Sequence, residues 1–375
     1  MFLKVFGWSF IVSALALVAA FFYGSWEALI LCALLGILEV SLSFDNAVVN
    51  ARVLEKMSEF WQKIFLTVGI LIAVVGMRLL LPLVLVSVTT GLSFGDVISL
   101  ALEKGDPSEV GTYGHYLHDA HPQIAAFGGM FLLMLFLEFI FEDRDIKWLA
   151  WIEKPLAKVG QFKPLAFIVS LAALIGGSFL TTHPEVVLTA GILGIITYLL
   201  VNGLGSLFEG NEDGDEETPG IHGSSEDIAK SIGKSGPSGL VKLTGKAAFF
   251  MFLYLEVLDA SFSFDGVIGA FAITADPIII ALGLGFIGAI FVRSITIYLV
   301  RAGTLNDYVF LDHGAHWAIG ALATILIVSI GVEIPEVITG LIGVVLIGAA
   351  FVSSIIRNKR EAKQESLDNA ENVVE

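Results

Sequence analysis

One cysteine in 375 residues leaves the chain no intrachain disulfide and no thiolate cluster for a metal. That residue, Cys32, lies in an apolar run. Charge is also scarce: Asp, Glu, Lys and Arg make up 15% of the chain, and no basic patch offers itself to nucleic acid. Gly-x-Ser-x-Gly, His-Glu-x-x-His and phosphate-binding glycine loops are missing, so the common hydrolase, zinc-protease and nucleotide signatures are excluded. Asp45 and Asp265 could approach each other as an aspartate pair, but the usual intramembrane aspartyl motifs are absent. Neither enzymatic activity nor a cofactor is expected.

What the chain has instead is hydrophobic length. Residues of apolar type make up 56%, with a mean hydropathy of +0.84, and apolar runs long enough to span a bilayer recur throughout. The expectation is an all-α polytopic membrane protein of about ten transmembrane helices. The spans fall near 5–23, 27–50, 62–88, 122–141, 164–181, 185–207, 246–272, 277–300, 315–332 and 335–356. Short breaks carry turn residues, such as Gly24-Ser25, Asp276-Pro277 and Ile334-Pro335. Lys4 before an apolar run also fits a signal sequence, but the charge count favours a retained helix.

Lysine and arginine set the orientation. With alternating loops, 18 of the 21 fall on one side, only Lys104 falls on the other, and Arg78 and Arg293 lie inside spans. The rich side is read as cytoplasmic, with both termini inside a cytoplasmic (inner) cell membrane. Two loops are long. Residues 89–121 lie outside and include three histidines. Residues 208–243 lie inside, are acidic and Ser/Gly-rich, and read as a disordered linker, a place where a soluble partner could dock. This linker accounts for much of the net charge of −16. The expected units are 1–23, an accessory helix; 24–207, a first repeat with an extra helix; the linker 208–243; 244–356, a second repeat; and a charged tail, 357–375.

Polar residues inside spans are expensive and mark function. Leu38-Glu39-Val40-Ser41-Leu42-Ser43-Phe44-Asp45-Asn46-Ala47 returns, in outline, as Asp259-Ala260-Ser261-Phe262-Ser263-Phe264-Asp265-Gly266. Other landmarks keep the same order. Arg78 matches Arg293, and His118-x-x-His121 matches His313-x-x-His316. Glu138 matches Glu333, and Pro184-Glu185-Val186 matches Pro335-Glu336-Val337. Five spans separate the two acidic stretches, so they cross in opposite senses and imply two inverted-topology repeats with a site at the midplane.

Leu-Glu-x-x-Leu-x-x-Asp-Asn-Ala, with its Asp-Gly copy in the second half, resembles the TerC family of integral membrane proteins, in a larger branch. The resemblance covers about twelve residues in each half. It implies tellurite resistance or manganese export, and kinship with lysine-exporter-type transporters. This chain departs from the family wording in Ser-Phe-Asp before the first aspartate and in Gly266 where the first half has Asn46.

On an ideal helix Glu39, Ser43, Asn46 and Asn50 share one stripe, while Ser41 and Asp45 share another about 120° away. Glu256, Asp259 and Ser263 likewise share a stripe, apart from Ser261 and Asp265. All could meet one ion only if the helices break, which is expected near Leu42–Asp45 and Phe262–Asp265. Carboxylates, hydroxyls and an amide form an oxygen set suited to Mn²⁺, Mg²⁺ or Ca²⁺. The expected ligands are Glu39, Asp45, Asp259 and Asp265, assisted by Ser43, Asn46, Ser263 and Glu256. Arg78 and Arg293 supply counter-charge or snorkel to a surface. His118, His121, His313 and His316 form entry and exit sites or simply cap spans at the interface. The expected function is export of a divalent cation, manganese first, in exchange for protons, with the lipid bilayer and that cation as partners. The alternatives are tellurite-linked or other solute export, and a membrane subunit that recruits soluble proteins through its linker.

Overall fold

Backbone in lipid must satisfy its own hydrogen bonds, which leaves a sequence this apolar the helix as its economical element. The computed structural model describes residues 2–69, 71–103, 105–106, 108–209, 242–274, 276–302, 308–332 and 334–371. Most of the expected linker, 208–243, and Glu333 lie outside the described residues. Among those described, the only departure toward β structure is an isolated bridge between Met57 and Leu243.

The helices are α1 (Phe2–Leu42), α2 (Phe44–Lys56), α3 (Glu59–Ile64), α4 (Leu81–Thr90), α5 (Phe94–Glu103), α6 (Tyr113–Asp119), α7 (His121–Phe141) and α8 (Ala150–Val159). They continue with α9 (Leu165–Ser178), α10 (Pro184–Glu209), α11 (Gly245–Ile273), α12 (Pro277–Ile280), α13 (Ala289–Ala302), α14 (Leu311–Ser329) and α15 (Glu336–Glu371). Wider π-helical turns fill Phe65–Gly69, Ile72–Leu80 and Ala281–Gly288.

Seven stretches among the described residues are long and apolar enough to cross a membrane. They are Val5–Val40, Glu59–Val88, His121–Phe141, Pro184–Gly203, Pro277–Val300, Leu311–Ser329 and Leu341–Glu361. Ten separate spans were expected, and three account for the difference. Residues 5–23 and 27–50 share one helix, α1, up to Leu42. The span at 164–181 is the 14-residue α9, a turn or two short of a bilayer. The span at 246–272 is the continuous 29-residue helix α11, which carries Glu256 and Asp259 and is not among the seven.

Nevertheless α1 doubles back. Gly24 (φ −144°, ψ 29°) and Ser25 (φ 59°, ψ −151°) leave helical geometry, Ser25 in a region that L side chains rarely adopt. Before the break, Phe6 stacks near Tyr298, Ser9 bonds the carbonyl of Ile290, and Tyr23 donates to Asp276. After it, Cys32 and Leu35 crowd Gly283, and Glu39 crowds Gly288. The first arm therefore runs antiparallel to residues 276–298 and the second arm parallel to them.

Similar pairings fix the rest of the bundle. Asn46 meets Asp259 and Glu39 meets Gly266, so the two acidic helices run antiparallel. Their ends are tied where Leu243 bonds Lys56 and Ser58 through the backbone. Phe136 lies on Gly320 and Phe139 on His313 and His316, so α7 and α14 are antiparallel too. One apolar core lies around α7, α11 and α14; a second lies among the second arm of α1, residues 279–287, α5 and α6.

The expected helix breaks are mostly not there. Ser43 forms a single-residue turn (φ −94°, ψ 14°), yet its N–H still bonds Glu39 and its carbonyl still accepts from Ala47. In the second half α11 continues through Phe262–Asp265 without interruption. An unbroken helix keeps its backbone groups paired at membrane depth, where no water replaces a lost partner. The Ser261 hydroxyl adds a bond to the carbonyl of Val257 at 2.9 Å.

Candidate functional site: a buried carboxylate and arginine cavity

The stripe Glu39, Ser43, Asn46, Asn50 is buried along its whole length, and it faces α11 and the π-helical span that carries Arg78. Arg78 Nη2 donates to Glu39 Oε1 at 2.5 Å, and Ser43 Oγ donates to the same oxygen at 2.7 Å. Both ion-pair side chains are 2% exposed. The second guanidinium nitrogen, Nη1, folds back onto the carbonyl of Ala73 at 3.2 Å. Asn46 Nδ2 donates to Asp259 Oδ1 at 2.5 Å and ties the first acidic helix to the second.

Close packing holds Glu39 in place. A Cβ on Gly288 would stand 2.1 Å from its Cγ, and one on Gly266 3.0 Å from Oε2. Only glycine at 288 lets the π-helical segment approach this carboxylate. π-Helical turns recur at functional sites, and here they occur in both arginine-bearing spans.

A cavity of about 30 Å³ opens beside this pair, lined by Asn50, Arg78, Glu256, Asp259, Arg293 and Thr296 among others. That is room for one or two water-sized occupants. Glu256 is 5% exposed, and neither of its carboxylate oxygens accepts a hydrogen bond among the described residues. The Oδ1 of Asn50 is in the same position. The cavity therefore presents unfilled oxygen acceptors beside an arginine already committed to Glu39.

The structure thus brings Glu39, Ser43, Asn46, Glu256, Asp259, Arg78 and Arg293 to one crossing of helices. It does not gather them as a ready-made metal shell. Among the described residues no group of three or more His, Cys, Asp or Glu side chains stands close enough to hold an ion, and Glu39 is taken by Arg78 rather than left open. The side chains of Asp45, Ser263 and Asp265 lie outside the described ones.

The histidine pairs part company. His118 is exposed in α6, and His121 opens α7 half-buried. His313 is buried, with Nδ1 3.2 Å from Glu153. His316 Nδ1 lies 2.8 Å from the carbonyl of Asp312, and its ring stacks on Phe139 at 3.6 Å. The second pair, His313 and His316, is therefore built into a side-chain network.

Glu153 was missed from sequence, and Glu138 was seen there only as the match of Glu333, without its partners Tyr198 and Asn202. Glu153 is 3% exposed and accepts from the backbone of Trp148 and Leu149 and from Trp317 Nε1. Glu138 accepts from Tyr198 at 2.7 Å and Asn202 at 3.2 Å. Glu153 lies among lysines and carries no repeat signal. For Tyr198 and Asn202, a polar pair four residues apart in an apolar span was the available clue.

Long apolar helices around a buried carboxylate and arginine cavity define a multi-pass helical membrane protein. The chain belongs to the family described as Protein of unknown function (DUF475), whose model matches residues 44–361. The match takes in Asn46, Arg78, Glu256, Asp259 and Arg293 and begins after Glu39. No curated protein and no solved structure matches the chain.

Proposed function

We propose that this protein is a transporter that carries a hard divalent cation, manganese first among them, across the cell membrane. The observation that carries the reading is Glu256: a carboxylate deep in the bundle, without a hydrogen-bond donor among the described residues, at the wall of a cavity large enough for an ion. A buried charge left alone costs several kcal/mol. A cation in the cavity offsets that cost, and a proton does so once the cation has left, which supports exchange of metal for protons. Asn50 and Asp259 add oxygen donors to the same wall, and oxygen donors suit hard ions.

The ten-span design of two inverted repeats belongs to the same proposal. It is supported by the antiparallel crossing of the two acidic helices. Each acidic helix also packs on the arginine-bearing span of the other half, with π-helical turns in both of those spans. The resemblance to TerC proteins points to the same substrate class, and the lysine and arginine asymmetry puts both termini in the cytoplasm.

Arg78 then acts as a resident cation. It neutralises Glu39 and shares the cavity with Asp259, so an entering ion meets a site whose charge is nearly balanced and is not trapped there. Weak, multi-donor holding is what a transport site requires. Manganese content and tolerance of cells making the wild type, Glu256→Gln, Asp259→Asn, Asp45→Asn or Asp265→Asn test the proposal. Lower export by the variants is expected, and manganese handling unchanged in all four would overturn it.

A further inference from the structure

The ten-residue helix α8 has two unlike faces. Glu153 and Ala157 are buried, and the opposite stripe carries Trp151, Lys154, Pro155 and Lys158, all exposed. Trp151 is 77% exposed, and Val159 and Phe162 beyond it are 57% and 56% exposed. Lys163 follows, also exposed. The only acid of the helix, Glu153, is turned inward, so the outward stripe is purely aromatic, apolar and cationic.

Its position is set from both ends. Gly160 lies against the backbone of Phe141, the last residue of α7. Glu153 reaches His313 and Trp317 in the first two turns of α14. The 21-residue α7 is about 31 Å long, the thickness of a hydrocarbon core. The helix α8 therefore joins the ends of two spans and lies at the boundary between hydrocarbon and water. Lys147, in the approach to α8, is already paired with Asp143 at 2.7 Å; Lys154, Lys158 and Lys163 have no such partner among the described residues.

We infer that α8 is an interfacial helix that binds the anionic headgroups of the surrounding bilayer. Trp151 and Phe162 insert at headgroup depth, as aromatic side chains do at that boundary, while the three lysines meet the phosphates. A soluble acidic protein would match the charge as well, but the exposed tryptophan at the end of a span favours lipid. Because Glu153 on the inner face is bonded to α14, lipid binding on the outer face would steady the contact between α8 and the bundle.

The test uses the full-length protein in detergent, equilibrated with equimolar phosphatidylglycerol and phosphatidylcholine, with retained lipid counted by mass spectrometry. Each surface lysine contributes about fivefold to anionic-lipid affinity. The wild type should therefore retain phosphatidylglycerol over phosphatidylcholine at least about fivefold. The triple variant Lys154→Gln, Lys158→Gln, Lys163→Gln should bring the ratio near one, and Lys158→Gln alone should lower it partway. Quenching by brominated phosphatidylglycerol should exceed that by the brominated zwitterionic lipid in the wild type, and the excess should vanish in Trp151→Phe. A wild-type ratio near one, or a ratio the triple variant leaves unchanged, overturns the proposal and leaves the stripe to a soluble partner.

Discussion

Glu39 and Arg78 form an ion pair at 2.5 Å in which each side chain is 2% exposed. The pair joins the end of α1 to a π-helical turn of the next span, so it holds two consecutive spans together. Removing one partner leaves the other as a buried charge without its ion-pair partner. Arg78→Gln or Glu39→Gln alone is expected to cost about 3–5 kcal/mol. The double substitution should cost clearly less than the sum of the two. Thermal unfolding of the four proteins in detergent measures this, and additive losses would show that the pair carries no coupling.

A second prediction concerns the close approach that shapes the same site. Gly288→Ala places a methyl 2.1 Å from the Cγ of Glu39. The helix or the carboxylate must then move, at about 1–3 kcal/mol. Gly7→Ala is the control, since a Cβ there meets nothing within 4 Å. It should be neutral or stabilising by up to about 1 kcal/mol. Melting temperatures that shift equally for the two variants would remove the packing argument.

A third concerns Glu153, whose carboxylate receives two backbone N–H groups and the indole of Trp317 and lies 3.2 Å from the His313 ring. Glu153→Ala strips all of these at once and should cost about 2–5 kcal/mol. Trp317→Phe removes a single donor and should cost about 1 kcal/mol. Protease sensitivity of the 142–149 loop, alongside melting, separates local loosening of α8 from global unfolding. Only the alanine variant should loosen the loop.

Much of this site was legible from spacing. Glu39, Ser43, Asn46 and Asn50 are four, seven and eleven residues apart, and a helix interrupted only by the turn at Ser43 buries them as one stripe. Arg78 was legible as a counter-charge because an arginine inside an apolar run needs an acidic partner. Three features were not. The π-helical turns depend on how spans pack, since Gly, Ala, Val and Leu allow either turn width. Glu256 resembled an accessory to Asp259, and its lack of donors is a property of the other helices around it. Glu153 lies between Trp151 and Lys154 like any surface acid, and only the fold turns it inward onto His313. The expected unwinding rested on the need to bring both stripes to one ion, and here the first stripe meets Arg78 and Asp259 without it. In α11, Ser261 bonds its own helix.

The last prediction returns to Glu256. Glutamine has nearly the same shape, and it replaces a carboxylate that accepts no hydrogen bond among the described residues. Without a cation, Glu256 either carries a proton, which glutamine mimics, or a buried charge, which glutamine removes, so Glu256→Gln should unfold at the same temperature as the wild type or higher. A bound cation stabilises the folded protein according to its saturation, by about 2.7 kcal/mol at a hundredfold excess over Kd. Added Mn²⁺ should therefore raise the melting temperature of the wild type, and much less that of Glu256→Gln. Mg²⁺ at the same concentration shows whether the response is particular to manganese. A structural role alone predicts a destabilised variant with an undiminished response to metal. A cation ligand predicts the reverse: a stable protein that no longer feels the ion.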